Sequence, residues 1–226
     1  MNLYLPSCDP EDWKKLLTDP DKQWKKEYSA RTLAESWIES GDIPTSVKNV
    51  FENSELDLFK EIEILFAFPE YKVSLPPTYG HPSQNDLFLL GKSGEELISI
   101  PVEGKVSEPF DKKVAKWLDG SPGKRERLEY ICAELGLDLS SVQQIRYQLL
   151  HRTVSALIMA KKLNAKNALM MVHSFSECNE GLSDFQQFAS IMNVKIGPNE
   201  IKRVKTVSGK TLYLAWVIRD KKFLKQ

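Results

Sequence analysis

The segment 85–105, Asn85-Asp86-Leu87-Phe88-Leu89-Leu90-Gly91-Lys92-Ser93-Gly94-Glu95-Glu96-Leu97-Ile98-Ser99-Ile100-Pro101-Val102-Glu103-Gly104-Lys105, holds two apolar runs of strand length around a Gly-Lys-Ser-Gly turn signal. It reads as a β-hairpin. An antiparallel return brings Asp86, at the opening of the first strand, beside Glu103 and Lys105 at the close of the second. Side chains alternate across a strand, so Glu103 and Lys105 share one face while Val102 and Gly104 take the other. Two carboxylates and an ammonium thus converge at one end of the hairpin. Carboxylate oxygens at that spacing suit a hard divalent cation such as Mg²⁺, and a neighbouring lysine orients a water or offsets charge developing on phosphate. Pro101 cannot donate to a ladder, which predicts an edge strand or a bulge there.

Upstream of the hairpin, residues 56–75 are strand-like, rich in β-branched and aromatic residues from Ile62 to Val73. The loop Pro76-Pro77-Thr78-Tyr79-Gly80-His81-Pro82-Ser83 leads into Asp86 and is expected at the mouth of the site, with His81 in reach of it. Earlier still, Asp9-Pro10-Glu11-Asp12 starts a short helix, Ser29 caps one that stops at Ser40-Gly41, and Pro44 opens another.

Downstream, Asp111 is expected to cap a helix through Val114 and Trp117, and helices follow over 124–135 and 140–163. In the last of these, Gln144, Gln148, His151 and Ser155 share a polar face opposite an apolar stripe, with Arg152 beside them. The run 168–175 is apolar throughout, as a strand buried on both faces after a crossover helix should be, with His173 at its end. A helix over 182–192, a strand over 211–218 and a basic tail with Lys221, Lys222 and Lys225 complete the chain.

The 226 residues carry equal numbers of acidic and basic side chains, so the formal net charge is zero. A nucleic-acid binder usually shows a basic surplus, so any such role has to rest on local clustering. Cys8, Cys132 and Cys178 lie far apart and in no zinc-ligand spacing, which predicts reduced thiols and a cytoplasmic protein. No apolar run approaches the roughly 18 residues of a membrane span, and the N-terminus lacks a basic region followed by an apolar core. No P-loop, dinucleotide-binding glycine pattern or HExxH is present, leaving kinase, dehydrogenase and metalloprotease readings without support.

The order helices, strand, hairpin, helices, buried strand, helix, strand predicts an α/β protein. Asp86, a hairpin and then Glu103-Gly104-Lys105 resembles the PD-(D/E)xK phosphodiesterase superfamily, with Asn85 standing where the name-giving proline would be. The resemblance spans about 29–175. It implies a restriction-endonuclease-like core, a central mixed β-sheet flanked by helices. Residues 1–226 would then form a single domain, with an N-terminal helical extension (1–28) and a C-terminal helix-strand addition (176–226).

The resemblance also implies Asp86 and Glu103 as ligands of Mg²⁺ or Mn²⁺, the Gly104 carbonyl as a third, and Lys105 as the charge that positions the attacking water. Gln148, His151 or Arg152 would contact the scissile phosphate, and Glu35 or Glu39 from the preceding helix would be an additional acid. Two functions stay open at this point: a Mg²⁺-dependent nuclease acting on DNA or RNA, and a catalytically inactive protein that uses the same fold as an interaction module. The oligomeric state is not readable.

Overall fold

A computed structural model describes residues 1–4, 9–204 and 209–219; Cys8 and the basic tail lie outside the described residues. In chain order the elements are β1 (Asn2–Leu3), α1 (Pro10–Lys14), α2 (Pro20–Gln23), α3 (Ser29–Ser40), α4 (Thr45–Glu52), α5 (Asp57–Lys60), β2 (Glu63–Val73), β3 (Ser83–Ser93) and β4 (Glu96–Lys105). There follow α6 (Val114–Trp117), α7 (Pro122–Leu135), α8 (Tyr147–Lys162), β5 (Asn167–Ser174), α9 (Leu182–Ile191), β6 (Glu200–Val204) and β7 (Thr211–Ile218). The strands form one seven-stranded mixed sheet in the order β1-β2-β3-β4-β5-β7-β6.

Strand alternation gives this sheet two apolar faces. On β5, Leu169 and Met171 pack with Leu33, Trp37 and Phe51 on the side of α3 and α4. Met170 and Val172 pack with Leu149, Val154 and Phe188 on the side of α8 and α9. All eight residues of β5 are buried, as its unbroken apolar run requires. Parallel β4 and β5 are joined across the face by α8, the connection that a crossover demands.

The hairpin is tighter than its turn signal suggested. Ladder pairing continues through Gly91↔Ile98 to Ser93↔Glu96, leaving Gly94 and Glu95 as the turn, with Gly94 at φ +55°. A Cβ on Gly91 would sit 2.8 Å from Ile62 Cδ1, so glycine is there for close packing against β2 rather than for turning. Pro101 sits in a central strand, without a bulge. The β4–β5 register runs through Ile98↔Asn167 and Ser99↔Ala168 and resumes at Val102↔Met171 with the same offset, so the missing N–H falls in a gap of the ladder. The irregularity lies between Ile64 and Phe66 on β2 instead.

Other boundaries move for local reasons. Residues 56–62 contain α5 before β2 begins. The long helix starts at Tyr147 rather than near 140, because Val114 N–H donates to Ile145 O, Ala115 N–H to Gln143 O and Tyr147 N–H to Lys112 O. Those bonds hold the stretch before Tyr147 against Lys112 and the start of α6. The residue capping α6 is Lys113, not Asp111. Tyr28, not Ser29, is the N-cap residue of α3, and Ser29 N–H donates to the distant Glu108 Oε1 at 3.1 Å. Two short-range signals held: Asp9 caps α1 by accepting from Glu11 N–H, and Gly41 ends α3 at φ +62°.

Candidate active site

At the C-terminal end of β4 a cavity of about 430 Å³ is lined by Asp86, Glu103, Lys105, Gln148, Arg152 and Glu70, with part of the N-terminal extension as one wall. Asp86 and Glu103 reach it because Leu87↔Val102 register sets their strands side by side, one residue further along. Lys105 Nζ lies 3.0 Å from Glu103 Oε1, as expected of two residues on one strand face. The same ammonium sits 4.9 Å from the centre of the Phe110 ring.

Helix α8 supplies the other half. Gln148 Nε2 donates to Glu103 Oε1 at 2.6 Å while Gln148 Oε1 accepts from Lys105 Nζ at 3.1 Å. Arg152 Nε donates to Glu103 Oε2 at 2.6 Å, and Arg152 Nη2 stands 3.9 Å from Asp86 Oδ1. Burial opposes the charge of Glu103, but Arg152 and Lys105 overcome it and hold the carboxyl below its ordinary range.

Asp86 is the opposite case. Its Oδ2 accepts from Gly104 N–H at 2.8 Å, and burial, then the charges of Glu103 and Glu70, push its pKa well above the ordinary carboxylate value. A strand residue offers its N–H and C=O toward the same neighbour, so this bond also directs the Gly104 carbonyl to the Asp86 side. A Cβ on Gly104 would lie 3.3 Å from Leu33 Cβ and 3.5 Å from Asp86 Oδ2, so the site closes tightly on its backbone.

His151 is not brought into this cavity. Its Nδ1 lies 2.8 Å from Ser83 Oγ, and it lines a neighbouring cavity formed by the 76–83 loop, α7 and α8. Ser83 Oγ also accepts from Arg152 Nη1 at 3.0 Å, so the two cavities are linked by hydrogen bonds. The 76–83 loop borders that second cavity, and Arg127 fastens it by donating to the carbonyls of Leu75, Pro77 and His81. His81 itself is exposed.

The expected polar face of α8 divides among several tasks. Gln144 precedes the helix and accepts from Lys113 Nζ, while Ser155 Oγ donates to Asn85 Oδ1. Asn85, at the place of the motif's proline, is fully buried and also donates to Tyr71 O. His173 is a buried structural residue, receiving Trp37 Nε1–H at 3.3 Å and lying 3.2 Å from Ser46 Oγ; burial lowers its pKa to about 3.

Neither helix glutamate joins the site. Glu35 is engaged by Arg31 Nε at 2.6 Å, and the cavity wall includes neither Glu35 nor Glu39. The cavity wall carries two acids besides Asp86 and Glu103, Glu108 and Glu70; Glu70 lies on β2 at φ +53°, accepting from Trp13 Nε1 at 3.2 Å and from Gln84 Nε2 at 2.7 Å. Burial raises its pKa to about 7, against the lowering effect of those two donors and of Arg152. A non-glycine residue at positive φ persists only where its surroundings hold it. Sequence reasoning missed Glu70; the one trace it leaves is Pro69-Glu70 in the middle of an otherwise continuous strand pattern, where a proline marks a local irregularity.

The sequence profile of one family matches residues 6–221, nearly the whole chain. The chain belongs to the DUF6946 family, a domain of unknown function. Comparison with curated proteins and with solved structures returns no match. Among the described residues no helix is long and apolar enough to cross a membrane.

The donor set can be tested against a hard divalent ion. Every acidic side chain lining the cavity offers oxygen, and burial, then the charges of Glu103 and Glu70, raise the pKa of Asp86, a shift that an added cation would oppose. Against this, both oxygens of Glu103 already accept from protein donors, and among the described residues no three His, Cys, Asp or Glu side chains are placed so that they could hold one metal ion. The oxygen donors are of the kind a hard divalent ion prefers, and Glu103 could join in only by exchanging a protein donor for the ion.

Proposed function

We propose that this protein is a Mg²⁺-dependent phosphodiesterase acting on nucleic acid, built on a restriction-endonuclease-like core. The observation that carries the reading is the meeting of Asp86, Glu103, Lys105, Gln148 and Arg152 in one cavity, from two adjacent strands and the crossover helix behind them. The order α3, β2-β3-β4, α8, β5, with β4 and β5 parallel, supports the core assignment.

Asp86, Glu103 and the Gly104 carbonyl would hold the ion. When bound it would supply Lewis acidity at a phosphoryl oxygen and a water acidic enough to attack near neutral pH. The protein's own groups do the rest. Lys105 places a positive charge where negative charge grows on the phosphate in the transition state. Gln148, bonded to both Lys105 and Glu103, fixes the distance between ammonium and carboxylate. Arg152 neutralises Glu103 in the absence of substrate, and its Nη2, 3.9 Å from Asp86 Oδ1, would donate to a phosphate oxygen brought beside the ion.

One observation favours a second reading, an inactive member of the fold that acts as an interaction module. Arg152, Lys105 and Gln148 satisfy Glu103 completely within the protein, as a purely structural ion-pair network would. Calorimetry with Mn²⁺ and a cleavage assay on single- and double-stranded DNA and RNA separate the two. Binding of the ion with cleavage of at least one substrate is expected. No divalent binding at millimolar concentration and no cleavage would leave the interaction module.

A further inference from the structure

The second cavity, about 360 Å³, falls within the range of roughly 300–1,000 Å³ typical of small-molecule sites. Its walls are mostly apolar and aromatic, with Trp117 stacked on Tyr147 at 3.7 Å between ring centres and Tyr147 in turn against His151 at 4.8 Å. Tyr79 stands at its mouth, 77% exposed, its hydroxyl donating to Glu126. Lys124 and Arg127 are among its lining residues, and no Asp or Glu is, among the described residues.

Hydrogen-bond accounting orients the one polar group on the cavity floor. Ser83 is buried, and its Oγ accepts from the Arg152 guanidinium, which can only donate. When the hydroxyl proton points to His151 Nδ1, Nδ1 is the acceptor of the neutral ring and Nε2 carries the proton; in the other tautomer Nδ1–H donates to the second Oγ lone pair and Nε2 is an acceptor. In the first tautomer the Nε2–H is a donor for a ligand that brings an acceptor into an apolar slot bordered by Arg127 and by Lys124, which is itself paired with Asp119 Oδ2 at 2.7 Å. A planar ring with acceptor atoms, joined to an anionic group, meets all three conditions.

We propose that this cavity receives a nucleobase of the substrate, the one flanking the phosphate held at Lys105 and Arg152. The Nε2–H of His151 donates to a ring nitrogen or carbonyl, and Tyr79 closes on the exposed face of the base by stacking. Ser83 and Arg152 join the two sites, since the same guanidinium bonds Ser83 in one and Glu103 in the other. The assignment rests on the phosphodiesterase reading for its anionic half. Its aromatic half is tested separately.

Calorimetric titration of the full chain in EDTA with the 5′-monophosphates of adenosine, guanosine, cytidine and uridine, with inorganic phosphate and with benzoate provides the test. At least one nucleotide is expected to bind about tenfold or more tighter than phosphate or benzoate. His151→Phe, which keeps a ring but removes the donor, should weaken that binding about tenfold, the order of one hydrogen bond lost in a desolvated site. Tyr79→Ala, at an exposed position where folding is not at stake, should weaken it several-fold. The proposal is overturned if no nucleotide exceeds phosphate, if benzoate binds equally well, or if both variants bind like the wild type. Because no cleavage is read, nucleotide binding by a protein that cuts nothing would sustain the base pocket while removing the phosphodiesterase reading. Cleavage without nucleotide binding would do the reverse.

Discussion

Arg152 is the residue on which the site's electrostatics turn, since its guanidinium serves Glu103, approaches Asp86 and bonds Ser83. Arg152→Ala leaves a buried carboxylate without its main partner, and such a loss costs about 3–5 kcal/mol. A drop in melting temperature on the order of 10 °C is expected by calorimetry; an unchanged midpoint would mean that Glu103 finds another donor.

Lys105 and Asp86 separate function from binding. Lys105→Ala should lower turnover by about 10²–10³-fold, the usual loss for one charge-stabilising donor, while Mn²⁺ affinity stays equal or rises because a cation has left the neighbourhood of a cation. Asp86→Ala should remove Mn²⁺ binding itself, and calorimetry on the two variants would expose the reverse pattern.

Glu70 predicts a pH effect. Its folded pKa near 7 lies above the ordinary 4.5, so across that interval the native state keeps a proton that the unfolded chain has released. Stability contributed by the protonated group is present at the low end, falls as pH rises toward 7 and is flat beyond. Asp86 shifts in the same direction, so the informative quantity is the difference from Glu70→Gln. Melting in EDTA at pH 5 to 8 should show the wild type losing stability relative to the variant. Parallel pH curves would show that Glu70 titrates as an ordinary glutamate.

At the scale of elements, the meander and α8 are joined by a polar clasp inside an otherwise apolar layer. Asn85 on β3 donates to Tyr71 O on β2 and accepts from Ser155 Oγ on α8. This position does not need the motif's proline; it needs an amide that ties three elements together. Asn85→Ala would leave the part-buried Tyr71 carbonyl short of one donor, while the Ser155 hydroxyl keeps Arg152 O as its acceptor at 2.7 Å, so a loss of about 1–3 kcal/mol in all is expected. Urea unfolding should show a lower midpoint with an unchanged m-value, and an unaltered midpoint would mean that water replaces the amide. Ser155→Ala releases only one of these bonds and should cost less.

Across the whole molecule, the N-terminal extension is part of the site's wall and part of the sheet. β1 pairs in parallel with Phe66 and Ala67, Trp13 is fully buried while bonding Glu70, and Thr18 Oγ1 donates to Gln84 Oε1. Trp13→Ala combines a cavity with the loss of a donor to Glu70, and large-to-small changes of this kind cost about 3–5 kcal/mol. The variant should melt earlier and, if active, should show an altered pH profile because Glu70 has lost one of its two donors. Destabilisation with an unchanged profile would assign Trp13 to packing alone.

The sequence by itself determined what depends on short-range pattern. Strand alternation and the apolar runs gave the β3–β4 hairpin and put Glu103 and Lys105 on one face. The continuous apolar run at 168–175 gave a central strand, and the Asp9 and Gly41 signals marked their helix ends. Tertiary structure decided whatever depends on which distant groups meet. His151 and Gln148 are three residues apart on one helix, yet only Gln148 faces the carboxylates, because the sheet end and the 76–83 loop divide the helix face between two cavities. Glu70 could not be picked out over Glu35 by composition, since its place in the site comes from a positive φ and from donors 14 and 57 residues away. Hydrogen bonds of that range leave no periodic trace in a sequence, so the supporting groups around Asp86 and Glu103 became visible only once the chain had folded.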